Sequence, residues 1–258
     1  MSNRQPTRPD SASDLSVERD GAVLIVTLDR PAKKNAFTNA MYERLAEALD
    51  RLAADEALRC LVVRATGGSF SAGNDLNDFL ALEALDADTP VVRVLKALGQ
   101  GDKPMLAAVD GVAIGIGTTL LLHCDLVFAT PTARFGAPFV PLGLVPEAAS
   151  SRLLVELIGY RRAMAMFLLG EQLDVTAAES LGLVNRCVEV AVLDETVMHA
   201  ARRIAALPIE AVRQTRSLCR AAPVSIAATI ERENACFADR LSSPEARAAI
   251  EAVLGARR

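Results

Sequence analysis

The chain has 258 residues, 51% of them hydrophobic and 23% charged, with a formal net charge of -4. This length and apolar content suit one large domain with a buried core and exclude wholesale disorder, while the mildly acidic balance excludes a nucleic-acid binder working through a broad basic face. Five cysteines without close pairing argue against a disulfide scaffold, and two histidines, His123 and His199, are too few for a histidine-built metal site and leave little room for Ser-His chemistry.

Residues 1–20 are polar, rich in Ser, Pro, Asp and Arg, and read as a frayed tail. No apolar run there or later suits a signal peptide or a membrane span, so the expected setting is the cytoplasm, away from membranes. Residues 22–28 read as a strand bounded by Gly21 and Asp29-Arg30-Pro31. Asn39–Ala54 places Met41, Leu45, Ala48, Leu49 and Leu52 on one helical face. Residues 60–63, Met105–Val109 and Leu126–Ala129 are short continuous apolar runs, the pattern of strands buried on both faces. Helical stretches between them imply right-handed crossovers.

From about residue 148 helices dominate. Ser150–Ile158 and residues 161–169 come first, the second ending at Gly170. Thr176-Ala177-Ala178-Glu179 has the capping-box pattern of a short helix that stops at Gly182. Residues 183–190 read as extended, 193–206 as a helix stopped before Pro208, and Ile209–Arg220, 224–241 and 244–254 as further helices. The fold class is α/β, a mixed core followed by a helical region.

Three segments could carry chemistry. The first, Gly67-Gly68-Ser69-Phe70-Ser71-Ala72-Gly73-Asn74-Asp75-Leu76, joins a strand to a helix expected over residues 76–85. Its small residues admit a ligand close to the backbone, and free N–H groups at a helix start hold negative charge. An ordinary turn with Asn74 or Asp75 capping the helix accounts for the same residues. The second runs from Asp110-Gly111 through Gly115-Ile116-Gly117 into Thr118-Thr119-Leu120. It is not a dinucleotide fingerprint, because Leu120 stands where the third glycine belongs, and there is no Walker lysine. Two loops of aimed amides are what an oxyanion hole requires. The third segment, residues 135–151, holds Glu147, a lone carboxylate in apolar surroundings. Burial would raise its pKa toward the range of a useful base, although an acidic residue near a helix start also serves the helix dipole.

At these segments, and at Leu28-Asp29-Arg30-Pro31 and Lys34-Asn35-Ala36-Phe37, the sequence resembles the crotonase superfamily of enoyl-CoA hydratases and isomerases. The resemblance runs from about Leu15 to the C-terminus. It implies a spiral of β-β-α units with a C-terminal helical region. Residues 1–14 would be a disordered tail, 15–200 the core and 201–258 a helical trimerisation region, in a homotrimer or dimer of trimers. It also implies an acyl-CoA thioester substrate and neither metal nor cofactor, coenzyme A being part of the substrate. The backbone amides of Asn74 and Ile116 would form the oxyanion hole. Lys34, Ala36, Ala72, Gly73, Asp75, Leu76, Gly115, Thr119 and Phe139 would contact substrate or coenzyme A.

Two departures matter. Family hydratases use two glutamates, and Thr119 and Phe139 occupy those positions. Glu147, in contrast, lies in a stretch similar to that of the peroxisomal-type Δ3,Δ2-enoyl-CoA isomerases, where one glutamate is the base. The resemblance therefore implies an isomerase that moves a 3-enoyl double bond to the trans-2 position through a dienolate. Hydration, thioester hydrolysis or decarboxylation by the same enolate chemistry, or acyl-CoA binding without catalysis, are the alternatives. His123 reads as structural, and the cysteines read as buried small hydrophobes.

Overall fold

The computed structural model describes residues 14–82, 85–220, 225–242 and 244–255. The tail before residue 14 and the expected helix start at Val224 lie outside the described residues. Nine strands occur among the described residues: β1 (Leu15–Asp20), β2 (Val23–Leu28), β3 (Cys60–Ala65), β4 (Met105–Val109), β5 (Val112–Ile114), β6 (Leu126–Ala129), β7 (Arg134–Gly136), β8 (Gln172–Asp174) and β9 (Arg186–Cys187). They form a six-stranded sheet, ordered β1-β2-β3-β4-β6-β9, and a three-stranded sheet, ordered β5-β7-β8.

The continuous apolar runs do sit in a sheet buried on both faces. Leu24, Val26, Leu61, Val63, Ala107 and Val127 point into the main core, against the Asn39–Ala54 and Pro90–Gln100 helices. Their neighbours Val23, Ile25, Cys60, Val62, Leu106 and Phe128 point the other way, onto Leu193, Val197, Met198 and Ala201 of the Val190–Ala205 helix. Opposite pointing of successive residues follows from the strand's period of two. Strands β2, β3, β4, β6 and β9 pair in parallel.

Residues 15–20 are a correction to the reading of a tail that reaches Asp20. They form β1, antiparallel to β2 with Leu15 opposite Leu28. Only Leu15 of that strand is fully buried, so an edge strand reads from composition like a polar tail. Other boundaries moved for local reasons. Residues 161–169 divide into an α-helix, Tyr160–Met164, and a π-turn, Ala165–Leu169. The cap of the Val175–Ser180 helix is Asp174, whose carboxylate accepts from Ala177 N at 2.8 Å. Glu179 instead accepts from Cys187 N at 3.2 Å. The helix expected over 76–85 stops at Leu80.

The short strands turn the chain into a spiral of β-β-α units. β4 leads into β5 and then the Ile116–Thr119 helix, while β6 leads into β7. After β3 the chain makes the same crossing with isolated bridges, Ser71 beside Ala113 and Asn74 beside Phe37. The crossing segments thus stack edge to edge and place the two glycine loops at one level. The last two helices fold back on this core. Ile226–Leu241 packs on Pro90–Gln100, and Pro244–Gly255 packs on Leu76–Leu80 and on the Val140–Leu142 turn.

Candidate active site

The first glycine loop is built on Asn35. This side chain is fully buried. Its Oδ1 accepts from Arg30 N at 2.7 Å, and its Nδ2 donates to Thr66 O at 2.8 Å and Ser69 O at 2.6 Å. Ser71 Oγ donates to Asn35 O at 2.8 Å. Lys34 and Asn35 themselves adopt left-handed φ angles of 50° and 54°. The loop reaches Gly73 at φ 92°, and a Cβ there would lie 3.1 Å from Ile114 O. Only glycine combines that backbone angle with such a close approach. The Gly73 loop and the Gly115 loop are in direct contact, a Cβ on Gly115 falling 3.7 Å from Gly73 Cα.

At this contact the N–H groups of Asn74 and Ile116 stand one beyond each glycine. Among the described residues, neither donates to an acceptor. The neighbouring amides are spent. Gly73 N donates to Ser71 Oγ, Asp75 N to Phe37 O, and Gly115 N to Gly136 O. The Asn74 side chain is held from behind, its Oδ1 accepting from the Tyr42 phenol. Burial first, and the Glu147 charge second, push the Tyr42 pKa well above its usual value. Tyr42 is therefore a neutral donor.

Asn74 and Ile116 both line a cleft of about 730 Å³. Lys34, Ala36, Ala72, Gly73, Asn74, Asp75, Leu76, Gly115, Ile116 and Phe139, all expected at the site, line it. Lys33 and Lys34 are exposed at one part of the wall. Phe79, Leu144, Phe237 and Leu254 make another part apolar. Asp75 is less available than its place suggests. Its carboxylate pairs with Arg30 at 2.8 Å and caps the Leu76–Leu80 helix through Asn77 N at 3.1 Å. Burial would raise its pKa, but Arg30 and the helix amides outweigh burial and hold it below the usual value.

Thr119 and Glu147 are not among the lining residues. Glu147 is 2% exposed and the only buried carboxylate among the described residues. Thr119 Oγ1 donates to Glu147 Oε1 at 3.4 Å, on the short helix that Ile116 begins. The carboxylate therefore meets the short helix whose first residue, Ile116, lines the cleft. The backbone of Glu147 is firmly held, since its carbonyl accepts from Ser150 N at 2.9 Å and Ser150 Oγ at 2.6 Å. The next residues, Ala148 and Ala149, have φ of 54° and 57° and are fully buried. Left-handed alanines cost on the order of 1–2 kcal/mol each, so surrounding contacts must enforce them.

Asn35 and Tyr42 were not candidates from sequence. A signal for Tyr42 existed, because it shares the helical face of Leu45, Leu49 and Leu52. Asn35 offered only its place in the Lys34-Asn35-Ala36-Phe37 motif, with no role implied for its side chain. The cysteines need correction. Burial pushes the Cys60 thiol up to about 12, but Cys124 and Cys187 are half-buried and Cys219 is exposed. The Cys236 side chain lies outside the described residues. Among the described residues, no cluster of three or more His, Cys, Asp or Glu side chains is arranged to hold a metal ion. None of their helices is long and apolar enough to cross a membrane.

Residues 18–254 match the family model described as enoyl-CoA hydratase/isomerase. The chain belongs to this family, and its fold is the crotonase fold. It is 37% identical over 196 residues to the 1,2-epoxyphenylacetyl-CoA isomerase of Escherichia coli (strain K12), covering 72% of this chain and 74% of that protein. It is 32% identical over 219 residues to enoyl-CoA delta isomerase 2 of Rattus norvegicus, covering 83% of this chain and 56% of that protein. The solved structure of Pseudomonas aeruginosa OdaA superposes with a TM-score of 0.90 at 42% identity, covering 94% of this chain and 99% of the other. Relatives named as a hydratase and a dehalogenase stand at 33% identity.

Proposed function

We propose that the protein is an acyl-CoA isomerase that converts a 3-enoyl-CoA to a trans-2-enoyl-CoA with Glu147 as the one acid and base. The observation that carries this reading is that the one buried carboxylate among the described residues meets the Ile116–Thr119 helix, whose first amide, like that of Asn74, is unengaged. The thioester oxygen accepts from the N–H groups of Asn74 and Ile116. Glu147 removes a proton from C2, and the electron pair spreads over C2, C4 and that oxygen. Preorganised donors lower the energy of such an oxyanion more than any other single contribution. The same carboxyl group returns the proton to C4, leaving the double bond between C2 and C3.

No second proton-transfer group is needed for this shift. Phe139 gives the cleft an apolar wall where hydratases of the family carry a glutamate, and Thr119 takes the other glutamate's place. An apolar, water-poor site favours proton return over hydration. Lys33 and Lys34 suit the phosphates of coenzyme A, with no metal or further cofactor. The reading extends to a homotrimer or dimer of trimers in the cytoplasm, with residues 201–258 contributing to assembly. Exposed Tyr160, Leu168 and Leu169, at 65%, 46% and 72%, offer apolar surface to a second copy.

Glu147→Gln tests the base. Turnover of trans-3-hexenoyl-CoA should fall by about 10²–10⁴-fold with binding of saturated hexanoyl-CoA retained. Full activity in that variant would remove Glu147 from the mechanism. A hydratase is the second reading, favoured by the relatives of that name. Efficient water addition to crotonyl-CoA would establish it and set aside the reasoning from Thr119 and Phe139.

A further inference from the structure

His123 is a buried titratable side chain, 2% exposed, that the proposed chemistry does not use. It ends the Leu120–His123 turn, which continues the helix begun at Ile116. Its Nε2 lies 2.8 Å from Ala148 O. A carbonyl only accepts, so Nε2 carries the proton. Its Nδ1 lies 3.4 Å from Arg220 NH2, at the end of the Ile209–Arg220 helix, and as the unprotonated nitrogen it accepts from that guanidinium. Arg216, one turn earlier on that helix, is itself tied down by Asp125 at 2.8 Å and by Gly101 O at 2.9 Å.

Ala148 is the first of the two left-handed alanines that follow Glu147. Its carbonyl orientation is set by the peptide plane between those two residues. An acceptor held there by a rigid buried donor resists relaxation of the turn toward ordinary φ values. Such relaxation would rotate the Glu147 side chain away from Thr119 and the helix that Ile116 begins. The charged groups that act on His123 are Arg220 and Arg216, the latter paired with Asp125, and the Leu98 carbonyl is a second main-chain acceptor beside the ring. Two nearby guanidinium groups disfavour a second proton on the ring.

We infer that His123 is a positioning residue, which holds the strained Ala148–Ala149 turn through its Nε2–H bond and so keeps the Glu147 carboxylate aimed at the substrate carbons. This role rests on the proposed use of Glu147 as the base. It extends to the C-terminal helices, because Arg220 fixes the other ring nitrogen.

The test compares His123→Gln with His123→Asn. A glutamine amide reaches as far as Nε2 and can donate to Ala148 O, whereas an asparagine amide stops near the position of Nδ1. With trans-3-hexenoyl-CoA, the Asn variant should lose kcat by about 10- to 100-fold, the scale set by a misplaced catalytic group, with KM nearly unchanged. The Gln variant should recover kcat to within about threefold of the parent. If the Asn variant does not fold, His123→Leu carries the same expectation. Combined with Glu147→Gln, the Asn substitution should produce almost no further loss, as expected of residues acting through one step. Equal kcat in the Asn, Gln and parent enzymes would overturn the inference, as would a loss that adds in full to that of Glu147→Gln. Failure of the base itself is seen separately, in full activity of the Glu147→Gln single variant.

Discussion

Asn35 and His123 are buried side chains that each satisfy main-chain groups. Asn35→Ala would strip partners from Arg30 N, Thr66 O and Ser69 O together. A hydrogen bond contributes a net of about 0.5–1.5 kcal/mol, so the loss of three predicts a fall of about 2–4 kcal/mol in urea unfolding. His123 makes stability depend on acid. Burial, aided by the nearby guanidinium charges, lowers its folded pKa from 6.5 to about 4, against the favourable Ala148 and Leu98 carbonyls. Below pH 6.5 the unfolded chain takes up a proton that the folded chain refuses. Stability from this group is therefore complete above 6.5 and falls as the pH drops toward 4. The fall amounts to about 3 kcal/mol, with none further below that pH. His123→Gln should flatten this acid limb in a series of thermal melts from pH 7 to pH 4. An unchanged limb would assign it to other groups.

Elements decide where the amides point. The Ile116–Thr119 helix can approach the first loop only because Gly117 has no side chain. A Cβ there would meet Ser71 O at 2.9 Å and Ser71 Cβ at 3.0 Å. Ser71 cannot yield easily, being bound to Asn35 O and bridged to Ala113. Gly117→Ala should push the Asn74 and Ile116 amides apart and lower kcat by about tenfold or more, in steady-state assays of the folded variant. The elements also show what was readable. Asn39–Ala54 was legible to the residue from its apolar spacing, and the structure adds the Thr38 cap, whose side chain accepts from Met41 N. Leu15–Asp20 was not, since an edge strand with one buried side chain carries little apolar signal. β5 and β7 are three residues each, too short for any period to register, and exist because neighbouring turns of the spiral supply their hydrogen bonds.

Across the whole molecule, the end of the chain completes the cleft begun near its start. Phe237, from the Ile226–Leu241 helix, meets Phe79 edge-on with ring centroids 5.2 Å apart, and both line the cleft with Leu254. On the proposed function, an apolar wall at this point limits the acyl chain. Phe237→Ala should shift preference toward longer 3-enoyl-CoAs, raising the long-to-short ratio of kcat/KM by about tenfold, as one or two methylenes in an apolar pocket do. An unchanged ratio over a chain-length series would place the acyl group elsewhere.

The residues themselves specify the apolar strands, the two glycine loops and a carboxylate alone among apolar neighbours, since each is a matter of side-chain type and short-range spacing. Their convergence is a property of the fold. Main-chain amides carry no residue identity, so the pairing of Asn74 with Ile116 arises from strand register across a spiral of long-range bridges. Burial of Glu147 beside Thr119, 28 positions away, follows from the same closure. So does the bond from His123 to a strained turn 25 positions later. Contacts of that separation form only when the core collapses around them, and a linear pattern holds no trace of which donor will meet which acceptor.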